Sequence, residues 1–231
     1  MESLIRTPNY VTLFHIGETP INFTETTAVE LLVVLILGVL FVVLGRNLKI
    51  RPTGKRQMIA EIIVTFFQNF VRDGMGPKFK RFVPYIAAVF CFSLISNLMG
   101  LIGLRQPTAD LSMVGTWGVL TFVLVLYTKI RTGGPAAPFT SLAQPVPVMT
   151  PFNIIGMFTN PGSQVIRHFG NIFAGMAISS LIYSAAGHFA LIFPAFLSLY
   201  FDIFAAVVQA YIFTSLTMAY ILDGDCSPEE A

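Results

Sequence analysis

Long apolar runs alternate with short polar segments along this chain. The first apolar run covers residues 27–45, and two more cover residues 82–104 and 111–128. About 20 apolar residues in a helix cross the ~30 Å hydrocarbon core of a bilayer. The three runs therefore predict three membrane-crossing helices.

A longer apolar stretch follows from Pro151 to Leu222 and holds two formally charged side chains, Arg167 and Asp202. It is too long for one crossing helix, and Gly187 with its neighbour His188 is the expected break. The stretch is therefore predicted to form a helical hairpin. Its two arms are residues 151–187 and 189–222.

The remaining segments are polar or mixed. Residues 57–81 combine an amphipathic stretch with glycine, proline and basic residues, a pattern typical of a helix at the membrane interface. Residues 1–26 are expected to form an external N-terminal segment, and residues 223–231 a cytoplasmic tail. The fold class predicted is an all-α polytopic membrane protein with one domain, about five membrane helices and one interfacial helix.

Composition agrees with a membrane protein. Hydrophobic residues make up 55% of the chain and charged residues only 11%, whereas a soluble domain averages about 25% charged residues. The net charge of +2 is too small for a phosphate-binding surface. A soluble enzyme, a disordered tail and a nucleic-acid binder are thus excluded.

The basic residues predict the orientation. Residues 46–56 contain five lysines and arginines, residues 72–81 four, and residues 129–131 two, whereas Arg6 and Arg105 belong to the opposite side. Because basic loops stay in the cytoplasm, the N-terminus is expected outside and the C-terminus inside. A short chain with no transit peptide favours the bacterial plasma (inner) membrane.

Arg167 is the least expected residue, because it lies near the middle of a predicted membrane helix. A charge there costs at least ~2.5–3.5 kcal/mol, and from mid-helix the side chain does not easily snorkel to water. Small or polar residues share its helical face, which lets the guanidinium face protein or water. They are Ser163, Gln164, Gly170, Asn171 and Ala174. An internal ion pair with Asp202 that only joins two helices is the alternative reading.

Asp202 and Gln209 are seven residues apart in the second arm, so they share a helical face about 10.5 Å apart. In a hairpin, Gln209 is expected near Arg167. His168 points about 100° away from Arg167 and is read as a packed residue. His188 is read as a turn residue, with a proton relay at the outer surface as the other possibility.

Five short motifs occur in a fixed order, together with the buried arginine. The chain thereby resembles subunit a of the F-type ATP synthase membrane sector. The motifs are SNLMGLI at 96–102, PTADL at 107–111, MTPFNII at 149–155, RHFGNIFAG at 167–175 and QAYIF at 209–213.

The resemblance implies roles for individual residues in proton translocation. Arg167 corresponds to the stator arginine that faces the rotating ring of c subunits, and Gln209 to its partner on the last helix. Asn171 corresponds to the polar position one turn after the arginine, and Asp110 to the acid of the external loop. Asp202 corresponds to the carboxyl of the outer half-channel. Ser163, Gln164 and His188 are possible channel-lining residues. Met176 and Gly156 depart from the family by standing where acids are common.

The resemblance also implies the assembly. Two proton half-channels against the c-ring would couple proton flow to rotation and ATP synthesis, with the last two helices strongly tilted. The expected partners are the c-ring, the b subunits, the rest of the F1Fo complex and the bilayer. No catalytic site, cofactor, metal or direct ATP binding is expected, and the choice between protons and sodium stays open. The alternative is a self-contained ion transporter or channel, which would work alone when purified.

Overall fold

The computed structural model describes residues 10–16, 19–49, 54–102, 104–143, 146–186 and 193–226. Within these ranges two short strands precede seven α-helices, and His188 lies outside them. The elements are β1 (Tyr10–Ile16), β2 (Thr19–Thr24), α1 (Glu25–Gly45), α2 (Lys55–Met75), α3 (Val83–Leu98), α4 (Leu111–Gly133), α5 (Ala137–Thr140), α6 (Thr150–Ala186) and α7 (Phe193–Asp223).

Four helical segments are long and apolar enough to cross a membrane. They are Glu25–Gly45, Pro77–Ile102, Leu111–Gly133 and Ile203–Asp223. Helix α6 has 37 residues, which is ample length, but polar side chains recur along it. The prediction of an all-α polytopic membrane protein is confirmed.

Local sequence signals set where the helices begin and end. Thr24 caps α1 by accepting a hydrogen bond from the backbone N–H of Thr27 (3.3 Å). Helices α2 and α4 both end at a glycine with positive φ, Gly76 at 88° and Gly134 at 86°. Glycine adopts this conformation without a steric penalty, so a glycine in the sequence specifies where each of these two helices ends.

The N-terminal strands are a feature that the apolar-run analysis did not predict. Strands β1 and β2 pair antiparallel, with Tyr10 opposite Thr24. The segment is rich in β-branched and aromatic residues, which favour strands. The segment is short and of mixed polarity, so its strand propensity is a weaker signal than the long apolar runs.

Several helix ends differ from the boundaries predicted from the sequence, most clearly those of α4 and α2. Helix α4 continues to Gly133, beyond the expected 128, so Lys129 and Arg131 lie in its last turns instead of in a loop. Cations are favoured there by the helix dipole. Helix α2 ends at Met75, and a 3₁₀ turn, Pro77–Phe82, leads into α3. The interfacial position of α2 stays a prediction.

The centre of the molecule is an apolar cluster shared by four helices. Val89 from α3, Val114 from α4 and Phe213 from α7 are buried there, and Trp117 and Val165 pack against them. A second cluster joins α2, α3 and α7 through Val71, Met75, Phe79, Phe82, Ile86, Met218 and Ile221. Helix α1 lies at the edge and contacts α3 through Val29, Val33 and Leu37. Helices α3, α4, α6 and α7 therefore form the frame that positions the polar residues.

Helices α4 and α6 approach closely at Gly118. A methyl group added there would lie 2.4 Å from Cγ2 of Val165 and 3.5 Å from the Pro161 carbonyl oxygen. Glycine at this position thus sets the distance between the two helices.

We expect Gly118→Ala to destabilise the protein by about 1–3 kcal/mol, because overpacking forces neighbouring side chains and backbone to move. Gly115→Ala is the matched control, since nothing lies within 4 Å of the added methyl on the same helix. Thermal unfolding in detergent measures both variants. Equal midpoints for the two would contradict the close approach.

Candidate functional site

Arg167 lies on an exposed face of α6. No described residue accepts a hydrogen bond from its guanidinium or forms an ion pair with it. The exposed residues near it on α6 include Ile166 and Phe173, which are apolar, and Asn171, which is polar. The site therefore presents one permanent cation on a surface that is mostly apolar.

Small residues continue this face beyond the arginine. Gly170, Ala174 and Ala177 follow Arg167 at helical spacing and are all exposed. Side chains of this size let a second helix approach the α6 backbone closely. The surface around Arg167 is therefore suited to contact another apolar helix.

The adjoining face of α6, which carries Gln164 and His168, is polar and buried against α7. Gln164 is 1% exposed, and its side-chain amide donates hydrogen bonds to the Phe213 carbonyl (3.0 Å) and to the Thr217 hydroxyl (2.7 Å). Buried polar groups that find such partners avoid a desolvation penalty. This pair of hydrogen bonds fixes the register between the two helices.

Gln209 on α7 is joined to α6 by two more hydrogen bonds. Its amide nitrogen lies 2.7 Å from Nδ1 of His168, and its Oε1 accepts a hydrogen bond from Nδ2 of Asn171 (3.1 Å). Gln209 is 7% exposed and His168 is 1% exposed. Asn171 is exposed, so it connects this buried network to the surface that carries Arg167.

Aromatic rings surround the histidine. The Trp117 ring on α4 contacts the His168 ring edge-to-face at 6.0 Å between centroids, and Phe213 does so at 4.9 Å. Three helices thus hold one imidazole, and its rotation is restricted by packing.

Asp110 lies at the start of α4, where its carboxylate caps the helix by accepting from the Ser112 N–H (3.0 Å). Next to it, the Thr108 hydroxyl donates to Oδ1 of the buried Asn97 (2.6 Å), and Gln106 donates to the Asn97 carbonyl (2.8 Å). The loop before α4 is therefore a compact polar cluster next to the membrane helices.

A cavity of about 510 Å³ lies between α4, α6 and the C-terminal end of α7. Its polar lining includes Lys129, Thr140, Ser141, Asn153, Asn160 and Asp223. Pro161 also lines it and has no N–H to donate to the carbonyl of Met157, another lining residue. The cavity is thus suited to hold water.

The structure brings together two of the predicted site residues, Gln209 and Asn171. Arg167 lies on the neighbouring exposed face of α6 and makes no hydrogen bond to Gln209, and Ser163 is half-buried one turn before it. Asp202 belongs to α7, but its side chain lies outside the described part, as does all of His188. Asp110 caps the N-terminal end of α4 and makes no hydrogen bond to Arg167 or Gln209.

The expectation that His168 is a packed residue is confirmed, since it is 1% exposed and contacts Trp117 and Phe213. Sequence reasoning did not predict its hydrogen bond to Gln209. A signal was present, because Gln164, His168 and Asn171 follow the i, i+4, i+7 spacing of one helical face. Gln164 and Asn171 were predicted to lie near the face of Arg167, and the structure adds that both donate hydrogen bonds to α7.

Known proteins were compared with the whole chain. The family described as ATP synthase A chain matches residues 27–222. A protein of Propionigenium modestum named ATP synthase subunit a, sodium ion specific, is 36% identical over 205 residues, which cover 82% of this chain and 70% of that protein.

Two further relatives cover more of their own length. ATP synthase subunit a 1 of Crocosphaera subtropica is 35% identical, with 88% of each chain covered. ATP synthase subunit a of Moorella thermoacetica is 31% identical, with 91% of this chain and 94% of the relative covered. The ordered motifs, the membrane helices and these matches agree: the chain belongs to the ATP synthase A chain family.

Proposed function

We propose that this chain is the stationary subunit against which a ring of c subunits rotates, and that it forms two proton half-channels beside that ring. The observation that carries the proposal is the exposed Arg167, which lies among mostly apolar and small side chains of α6 and has no acceptor among the described residues. Such a charge is costly in lipid. A rotor that brings carboxylates past it would explain why it is there.

Arginine suits this role because its guanidinium stays protonated in proteins. Near a rotor carboxyl it favours the ionised form by charge attraction, so the proton leaves at this point of the cycle. The same fixed charge repels protons and keeps the two half-channels apart. A carboxyl that has taken up a proton is neutral and can rotate through lipid at much lower cost.

The outer half-channel in this proposal begins at the polar loop before α4. Thr108 and Asp110 belong to that loop, and Thr108 donates a hydrogen bond to Asn97 near the end of α3. Asp202 and Asn171 continue the proposed path toward the rotor. Asp202 precedes Gln209 by two helical turns. A proton would therefore pass a carboxyl before it reaches the buried amide network.

The inner half-channel uses the cavity between α4, α6 and α7. Asn153 and Asn160 line that cavity, and Arg167 follows Asn160 by seven residues, as Asn160 follows Asn153. Seven residues are close to two full turns, about 10.5 Å. The polar positions thus lead from the cavity toward the arginine on nearly one face.

The proposal includes the assembly and its placement. The c-ring, the b subunits and the rest of the F1Fo complex are the partners, in a bacterial plasma membrane with the N-terminus outside. Helix α6 is about 55 Å long at 1.5 Å per residue. Because the hydrocarbon core is only ~30 Å thick, a strongly tilted α6 accommodates this length.

We expect Arg167→Ala to reduce ATP synthesis at least a hundredfold in vesicles that contain the complete synthase, since rotor carboxyls would keep their protons. An imposed proton gradient in sodium-free buffer drives the assay. We expect the parent protein to synthesise ATP under these conditions. If its ATP synthesis requires Na⁺, the coupled ion is Na⁺ and not the proton.

Arg131→Ala is the control for this experiment, because it also removes an exposed arginine but at the end of α4. It should retain most of the activity. Normal coupled synthesis by Arg167→Ala, with the ring still co-purifying, would contradict the proposed function.

We expect Asp202→Asn to slow passive proton flux about a hundredfold, a typical contribution of one positioned acid–base group. Flux is measured in vesicles after removal of the catalytic sector. Asp73→Asn, an exposed acid beside Arg72 on α2, is the control. Unchanged flux in Asp202→Asn would remove this residue from the proton path.

A further inference from the structure

The residue after the arginine points into the protein. Arg167 is exposed, whereas His168 is 1% exposed and contacts α4 and α7. Two neighbouring residues therefore connect the rotor-facing surface of α6 with the interior of the bundle. We propose that His168 is a positioning residue for proton transfer, which fixes the orientation of the Gln209 amide; this inference rests on the proposed function.

Donor and acceptor chemistry assigns each atom of the network. The Gln209 amide nitrogen can only donate, so Nδ1 of His168, 2.7 Å away, must accept and the ring carries its proton on Nε2. Nδ2 of Asn171 can only donate as well, and Oε1 of Gln209 accepts from it at 3.1 Å. Hydrogen bonds to α6 therefore fix the positions of both the nitrogen and the oxygen of the Gln209 amide.

His168 can hold the Gln209 amide in one orientation because packing restricts the rotation of the His168 imidazole. Trp117 and Phe213 contact the imidazole edge-to-face from two different helices. The Phe213 backbone is itself tied to α6 through the hydrogen bond from Gln164. Rotation of the imidazole would disturb contacts with both α4 and α7.

The orientation of the amide decides what a passing carboxylate meets. One Gln209 N–H is used by His168, and the second remains a donor that can stabilise an anion. Without His168 only the hydrogen bond from the exposed Asn171 side chain orients the amide. The two amides can then turn over together, which places the Gln209 carbonyl oxygen where the N–H group was. An acceptor there disfavours the ionised rotor carboxyl that Arg167 is proposed to stabilise.

The test uses the complete synthase with His168→Leu and His168→Asn, and measures passive proton flux in vesicles after removal of the catalytic sector. Asparagine places an amide near the Nδ1 position and can still accept from Gln209, whereas leucine cannot. We expect leucine to slow flux about tenfold, the effect of one lost buried hydrogen bond. Asparagine should restore flux to within about threefold of the parent protein.

A double variant separates positioning from packing. If His168 acts through Gln209, His168→Leu combined with Gln209→Leu conducts no more slowly than Gln209→Leu alone. Thr214→Val is the packing control, because its buried hydroxyl bonds only to the Ala210 carbonyl of its own helix (2.8 Å) among the described residues. It should leave flux unchanged.

Three results would overturn the inference. The first is parent-like proton flux in His168→Leu, and the second is equal slowing of flux by His168→Leu and His168→Asn. The third is a flux in the double variant that is slower than in Gln209→Leu alone. If His168→Leu fails to assemble with the ring, His168→Asn is compared with His168→Gln, whose longer side chain places its amide near Nε2 instead. Faster flux in the asparagine variant is then expected, and equal flux overturns the inference. ATP synthesis by Arg167→Ala in vesicles that contain the complete synthase tests the proposed function separately.

Discussion

An exposed cation on a largely apolar helix surface, Arg167, is the feature on which the proposed arrangement depends. In the proposed function this group lies at membrane depth, where contact of a charge with lipid would cost at least ~2.5–3.5 kcal/mol. Helix α6 leaves this group exposed among apolar and small side chains and offers it no acceptor in the described part of the chain. In the proposed function this charge is available for a partner outside the bundle.

Contacts with α4 and α7 make this exposure possible, because they hold α6 in a fixed rotation about its axis. Gln164, His168 and Asn171 form hydrogen bonds to α7, and Gly118 lets α4 pack closely against Val165. Two helices, α4 and α7, therefore set the rotation of α6 about its axis. Since neighbouring residues of a helix differ by about 100°, a rotation of that size would bring Arg167 to the buried position of His168.

Apolar runs were enough to predict the helices, because hydrocarbon thickness fixes the length of a crossing segment. They did not predict the strands before α1, whose signal is short, or the extension of α4 to Gly133. The motifs identified Arg167 and Gln209, but not which face of α6 meets α7. That face depends on long-range packing, so His168 was assigned to packing alone.

A density map of the assembled complex tests the central claim most directly. The account predicts that the Arg167 guanidinium faces the c-ring, within about 4–6 Å of a c-subunit carboxyl, the range over which opposite charges shift ionisation. A ring seated against another face of the chain, or an Arg167 side chain directed into bulk water and away from the ring, would contradict it.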